Sequence, residues 1–166
     1  MPVSVDDIKA LREQTGAGVM DCRNALDEAD SNLEKAIGLL REKGLSKGQK
    51  RSDREIGQGL VEAYIHGGRI GALVEINCET DFVARTDVFK ELAHDVAMQI
   101  ASMAPAGVTP DDLPDGIEGE PEELALLTQP FIKDPSKTIQ DLVNEAVTAT
   151  GERIEIRRFT RYELGE

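Results

Sequence analysis

Few side chains in this sequence are of the types that make and break covalent bonds, and those few are scattered. The only cysteines are Cys22 and Cys78, and the only histidines are His66 and His94. A reactive thiolate needs a nearby base or positive cluster to lower its pKa. Neither cysteine has a histidine close in sequence, and Cys22 reads as a small buried apolar residue. There is no Ser-His-Asp or Cys-His set, no Gly-x-x-x-x-Gly-Lys phosphate loop and no dinucleotide fingerprint. Seven carboxylates between Asp111 and Glu123 raise the question of a cation site. The Asp-x-Asp-x-Asp-Gly calcium pattern is absent, so a solvated acidic loop is the simpler reading. No enzyme activity, cofactor or metal is expected. What remains is the chemistry of contact, centred on Asn77-Cys78-Glu79-Thr80-Asp81-Phe82-Val83-Ala84-Arg85. The chain is only 4% aromatic, yet it places Phe82 beside a carboxylate, Asp81. Two readings stand. Phe82 folds back as a plug under the next helix, or it protrudes as a wedge that enters a pocket on another protein.

The elements on either side set the geometry of that stretch. Ile70, Ala72, Val74 and Ile76 recur at every second position, separated by Gly71, Leu73 and Glu75, and predict a strand with one buried face. After the turn, Phe89, Leu92, Val96, Ile100 and Met103 recur at helical spacing, with Thr86 or Asp87 available as N-cap. Leu60 to His66, Gly67-Gly68 and Arg69 to Cys78 predict a hairpin with a primed turn. His66 is most simply a polar residue flanking the turn, and His94 a solvent-facing one. Near the end, Ile139, Leu142, Val143, Ala146 and Val147 line a helix closing at Gly151. Arg153 to Phe159 then alternates as a third strand, giving a second sheet face that carries Leu73 and Phe159 among polar residues. Gln129 to Thr138 reads as a loop, preceded by a short helix around Glu122 to Leu127. Residues from Pro105 to Glu123 read as a loosely ordered excursion, with a turn of helix at Asp111-Asp112-Leu113.

The N-terminal part reads as three short helices. Ser4-Val5-Asp6-Asp7 opens the first, with Ile8 and Leu11 inward, and Thr15-Gly16 stops it. The second carries Cys22, Ala25, Leu26 and Ala29. Ser31-Asn32-Leu33-Glu34 reads as a capping box for the third, with Leu33, Ala36, Ile37 and Leu40 inward and Gly44 as its left-handed stop. Val19 and Met20 are adjacent and cannot both face one core, so one of them is expected at the surface. Met20 is then either an adaptable contact residue or a cap on the small core. Ser46 to Gln58 holds the one notable basic cluster, Lys47, Lys50, Arg51 and Arg54. It is broken by Asp53 and Glu55 and has no aromatic interleaving, so it reads as a solvated linker or helix. The expected organisation is a bundle at 1–45, a polar linker at 46–56, and an α+β domain at 57–166 with a three-stranded antiparallel sheet.

Composition narrows the partners. There are 19 Lys and Arg against 32 Asp and Glu, a formal net charge of −13. A chain this acidic repels phosphate backbones, so direct nucleic-acid binding is not expected. No apolar run approaches the roughly 18 residues of a membrane helix, and the N-terminus lacks signal-peptide features, so a cytosolic protein is expected.

Two stretches carry a family resemblance. Thr15-Gly16-Ala17-Gly18-Val19-Met20-Asp21-Cys22-Arg23-Asn24-Ala25-Leu26 resembles the first signature of bacterial elongation factor Ts, and Asn77 to Arg85 resembles the second. The ending from Thr138 to Glu166 fits as well, so the resemblance spans essentially the whole chain. It implies a bundle similar to ubiquitin-associated domains, followed by a dimerisation-type α+β domain. The implied function is guanine nucleotide exchange on elongation factor Tu. By the same resemblance, Thr80, Asp81, Phe82 and Val83 match the segment that intrudes near the partner's nucleotide site and dislodges its Mg2+. Val19 and Met20 match the loop that contacts the partner's nucleotide-binding domain. Long members of the family carry two sheet subdomains and a coiled-coil insertion, whereas this chain holds a single hairpin-helix-strand unit. Short members pair two copies, which implies a homodimer here. Two readings from other classes compete: a peptide-binding adaptor built on the bundle alone, and a thiol enzyme using Cys78.

Overall fold

The computed structural model describes residues 3–50 and 54–166, with residues 45–50 described as backbone only. In chain order the helices and strands are α1 (Val5–Thr15), α2 (Val19–Glu28), α3 (Leu33–Lys50), β1 (Gln58–His66), β2 (Ile70–Cys78), α4 (Asp81–Ala84), α5 (Asp87–Met103), α6 (Pro121–Leu124), β3 (Pro130–Phe131), β4 (Asp134–Thr138), α7 (Ile139–Thr150) and β5 (Glu155–Glu163). They form two compact units. The first holds residues up to Arg54 together with Asn144–Arg153, and the second holds Glu55–Val143 with Ile154–Glu166.

In the first unit, the Ser4 hydroxyl caps α1 by accepting from the Asp7 amide at 3.0 Å, and Asp6 and Asp7 sit where the helix dipole favours them. Leu11, Cys22, Ala25, Leu26, Ala29, Ala36 and Leu40 are buried together, and Ile8, Leu33 and Ile37 pack against them half-buried. These are the inward positions expected from periodicity. Two boundaries differ. The cap of α3 is Asn32, whose side-chain Oδ1 accepts from the Lys35 amide at 3.0 Å. Ser31 is unavailable for that role because it joins Asp30 in the left-handed region, closing the turn out of α2. Helix α3 also runs straight through Gly44 to Lys50 instead of stopping there. Gly44 is needed for lack of bulk: a Cβ at this position would meet the Thr148 hydroxyl and lie 3.1 Å from the Asn144 carbonyl oxygen. Of the basic cluster, Arg51 lies outside the described residues, as do the side chains of Lys47 and Lys50.

In the second unit, β1, β2 and β5 form an antiparallel sheet in the order β1-β2-β5. Gly67 and Gly68, at φ 56° and 68°, make the primed turn that suits the strand twist. Ala72, Val74 and Ile76 point to one face and are buried there with Phe89, Leu92, Val96 and Ile100 of α5. Met103, expected in the same stripe, is 47% exposed at the end of the helix. The partner register of β2 and β5 shifts at Glu75/Ile76, where Arg157 is the extra residue. Beyond this bulge Phe159 pairs with Val74 and therefore falls on the helix-covered face, not on the open face as alternation suggested.

The segment read as a loop, Gln129 to Thr138, holds the small hairpin β3-β4. It is anchored from below. The fully buried Gln99 of α5 donates through Nε2 to Gln129 Oε1 and the Pro130 carbonyl, and its Oε1 accepts from the Ile132 amide at 2.9 Å. The acidic excursion has one short 3-10 turn at Pro110–Asp112. Its two ends are joined at the base by hydrogen bonds from Ala106 to Leu124 and from Leu126 to Gly107.

Candidate functional site

Strand β2 ends at Cys78 and delivers the chain into α4, a single turn of helix. Both ends of that turn are tied. At the start, Thr80 caps it, its hydroxyl accepting from the Val83 amide at 3.3 Å. The Cys78 thiol donates to the Thr80 carbonyl at 3.1 Å. At the finish, the Thr86 hydroxyl donates to the Val83 carbonyl at 2.7 Å while accepting from the Phe89 amide as the cap of α5. Ala84 turns inward and is buried, and Phe89, seven residues past Phe82, is the aromatic that plugs the core. Phe82 itself is 78% exposed, so it does not fold back under α5. The result is a short, braced turn with a large apolar ring in water at its crest.

Asp81, half-exposed beside the ring, pairs with Arg85 one helical turn on, Oδ2 to Nη2 at 3.0 Å. The Asp-x-x-x-Arg spacing was readable as an i,i+4 pair, but only once residues 81–85 are known to be helical.

Val19 and Met20 belong to the other unit, as the first two residues of α2. Both are exposed, at 51% and 61%. Sequence adjacency argued that one would be outside; both are, because Cys22, Ala25 and Leu26 suffice to turn α2 onto its core. Gly18 precedes them and offers no side-chain cap, so the start of α2 is a bare backbone end flanked by two apolar side chains.

The thiols are poorly placed for nucleophilic chemistry. Burial pushes the Cys22 thiol up, the opposite of activation. Cys78 is buried. His66 and His94 both lie against the Tyr64 ring, with centroids at 6.3 and 5.8 Å, and both are exposed. Among the described residues no group of three or more His, Cys, Asp or Glu is arranged to hold a metal ion. No described helix is long and apolar enough to cross a membrane.

This braced turn sits inside a sequence that matches one family. The family model described as elongation factor TS covers residues 7–120 and 116–166. The chain is 47% identical to elongation factor Ts of Moorella thermoacetica, over 99% of this chain and 96% of that protein. It is 46% identical to that of Coprothermobacter proteolyticus over the full length of both, and 49% identical to that of Carboxydothermus hydrogenoformans over 96% and 88%. The chain belongs to the elongation factor Ts family.

The role of that family is nucleotide exchange in translation elongation, an activity exerted by binding. The alignments also show a departure. The match to the Moorella protein runs over 195 positions although this chain has 166 residues, so the relative holds about thirty positions with no counterpart here. The bundle followed by a three-stranded α+β sheet agrees with the fold expected of the family from sequence.

Proposed function

We propose that this chain promotes release of GDP from elongation factor Tu, with Thr80, Asp81, Phe82 and Val83 entering the partner beside its nucleotide site and dislodging its Mg2+. The observation that carries the proposal is the exposure of Phe82 on a turn braced at both ends. A rigid turn spends little conformational entropy on docking, so most of the energy of burying the ring is available to the complex. Val19 and Met20 supply a second apolar contact, to the partner's nucleotide-binding domain.

Energetics require more than one contact. An exchange factor works by binding the empty partner better than the loaded one, and the coupling is reciprocal. Driving an equilibrium from 1:99 to 99:1 takes about 5.5 kcal/mol of differential affinity. Burying one Phe supplies roughly 1.5–3 kcal/mol. Phe82 therefore works together with Val19, Met20 and the polar contacts around the wedge.

The test is release of fluorescent GDP from purified elongation factor Tu, with and without this chain. Release should accelerate, and the gain should shrink when EDTA has already stripped the Mg2+. An unchanged release rate rejects the exchange reading, and an equal gain with and without EDTA rejects Mg2+ displacement as its route.

The proposed assembly is a homodimer in the cytoplasm, built on the open face of the sheet. Val61, Ile65, Leu73 and Tyr162 lie exposed on that face, with Ala63 beside them. Light scattering should give twice the chain mass, and Leu73→Asp should give the monomer. A monomeric chain with full exchange activity removes the dimer from the mechanism.

A further inference from the structure

Resting on the reading of Asp81-Phe82 as the segment that enters the partner, we propose that Arg85 is a positioning residue for exchange, which keeps Asp81 neutralised while Phe82 is driven into its pocket. The pair spans the one turn of α4, with Asp81 in its first turn and Arg85 at its C-cap, the orientation that the helix dipole favours at both ends. The Arg85 amide is shared by the carbonyls of Asp81, Phe82 and Val83, so the residue that supplies the guanidinium also closes the turn that raises the ring. Around it the chain is acidic. Between Asn77 and Phe89 the carboxylates are Glu79, Asp81 and Asp87, and Arg85 is the one base.

In the free chain this pair is largely in water, its side chains 49% and 74% exposed for Asp81 and Arg85, and pairs of that kind add little to folding. Its effect emerges when docking excludes water. Asp81 immediately precedes Phe82, so the ring cannot be buried without carrying the carboxylate to the rim of the same pocket. An unpaired carboxylate pays a steep desolvation penalty there, whereas a carboxylate already paired at 3.0 Å enters as a near-neutral unit. The alternative is that Asp81 acts as a free carboxylate competing for the partner's cation or its waters. The two mechanisms predict opposite signs. If Asp81 works free, removing Arg85 releases it and exchange speeds up; if it works paired, exchange slows.

The experiment compares GDP release from elongation factor Tu driven by wild type, Arg85→Gln, Arg85→Lys, Asp81→Asn, the Asp81→Asn/Arg85→Gln double variant and Phe82→Ala. Thermal melts serve as the folding control. Arg85→Gln should lower kcat/KM by about tenfold or more, the scale of a pair broken where water is excluded. Arg85→Lys should recover most of the loss. The double variant should fall within about threefold of Asp81→Asn alone, because without the carboxylate there is no charge left to compensate. Exchange that is unchanged or faster in Arg85→Gln, or losses that multiply in the double variant, overturn the proposal. Phe82→Ala separates the two levels: exchange at the wild-type rate in that variant rejects the wedge reading itself. If Phe82→Ala is impaired while Arg85→Gln is not, only the role of Arg85 is rejected.

Discussion

Phe82→Ala divides binding from folding more sharply than any other single change. In the free chain the ring is 78% exposed, so its removal takes almost nothing from the folded state. Surface substitutions of this kind fall within about 0.5 kcal/mol, which for a chain of this length moves the melting temperature by about 2 °C or less. In the docked state nearly all of the side chain's burial energy is still to be gained. Of the roughly 1.5–3 kcal/mol a buried Phe supplies, truncation to Ala forfeits about 2 kcal/mol. At 1.4 kcal/mol per decade this is about a 30-fold loss in kcat/KM for GDP release. The assay is a fluorescent-GDP chase on elongation factor Tu, normalised to folded protein, with a thermal melt in parallel. A core-plugging Phe would behave in the opposite way. Losing it costs about 3 kcal/mol or more, a fall of roughly 6 °C or more in melting temperature. A melt lowered by that amount, with exchange per folded molecule intact, would refute the reasoning.

Three further expectations concern the scaffold. Gly44→Ala supplies α3 with a better helix former by about 1 kcal/mol, yet its Cβ meets the Thr148 hydroxyl and the Asn144 carbonyl. Urea denaturation should therefore show a net loss of about 1–2 kcal/mol, relieved in a Thr148→Ala background. Gln99→Leu leaves the Ile132 amide and the Pro130 carbonyl without their side-chain partner. It should cost about 2–4 kcal/mol and speed amide exchange at Ile132, and a neutral result would mean water replaces the side chain. Glu75 is held below the usual carboxylate range, first by the Asn77 side-chain amide and then by Arg158. Because its folded pKa is depressed, its contribution is fully present above the unfolded carboxylate pKa and is lost as pH falls through the folded value. Glu75→Gln should flatten the acid limb of a stability-against-pH curve, and an unchanged limb would assign the acid sensitivity to other groups.

Much of this fold was legible because its signals are local. Gly67-Gly68 between two alternating runs specifies a primed hairpin whatever surrounds it, and Ser4 and Thr86 cap their helices through amides three residues away. The periodic positions Leu11, Cys22, Leu26, Ala36 and Leu40, and Phe89, Val96 and Ile100, all went to a core, because a helix has only one face on which to bury them. The two signatures needed no coordinates either, and they placed the chain in its family.

Tertiary structure decided the rest. Whether Phe82 plugs or protrudes depends on whether space beneath α5 is already filled, and Phe89 fills it. Gly44 looked like a helix stop from its neighbours in sequence, but its role is set by Thr148, a hundred residues away. The hairpin β3-β4 is two residues on one side and carries two prolines, too weak a pattern to announce itself. It is held by Gln99, thirty residues earlier. The face taken by Phe159 turned on one extra residue at Arg157. The side-chain period of a strand is two, so a single bulge sends every later residue to the opposite side. Local rules fix the conformation of a segment. They do not fix what it meets, and at each of these positions the contact across the fold determined the outcome.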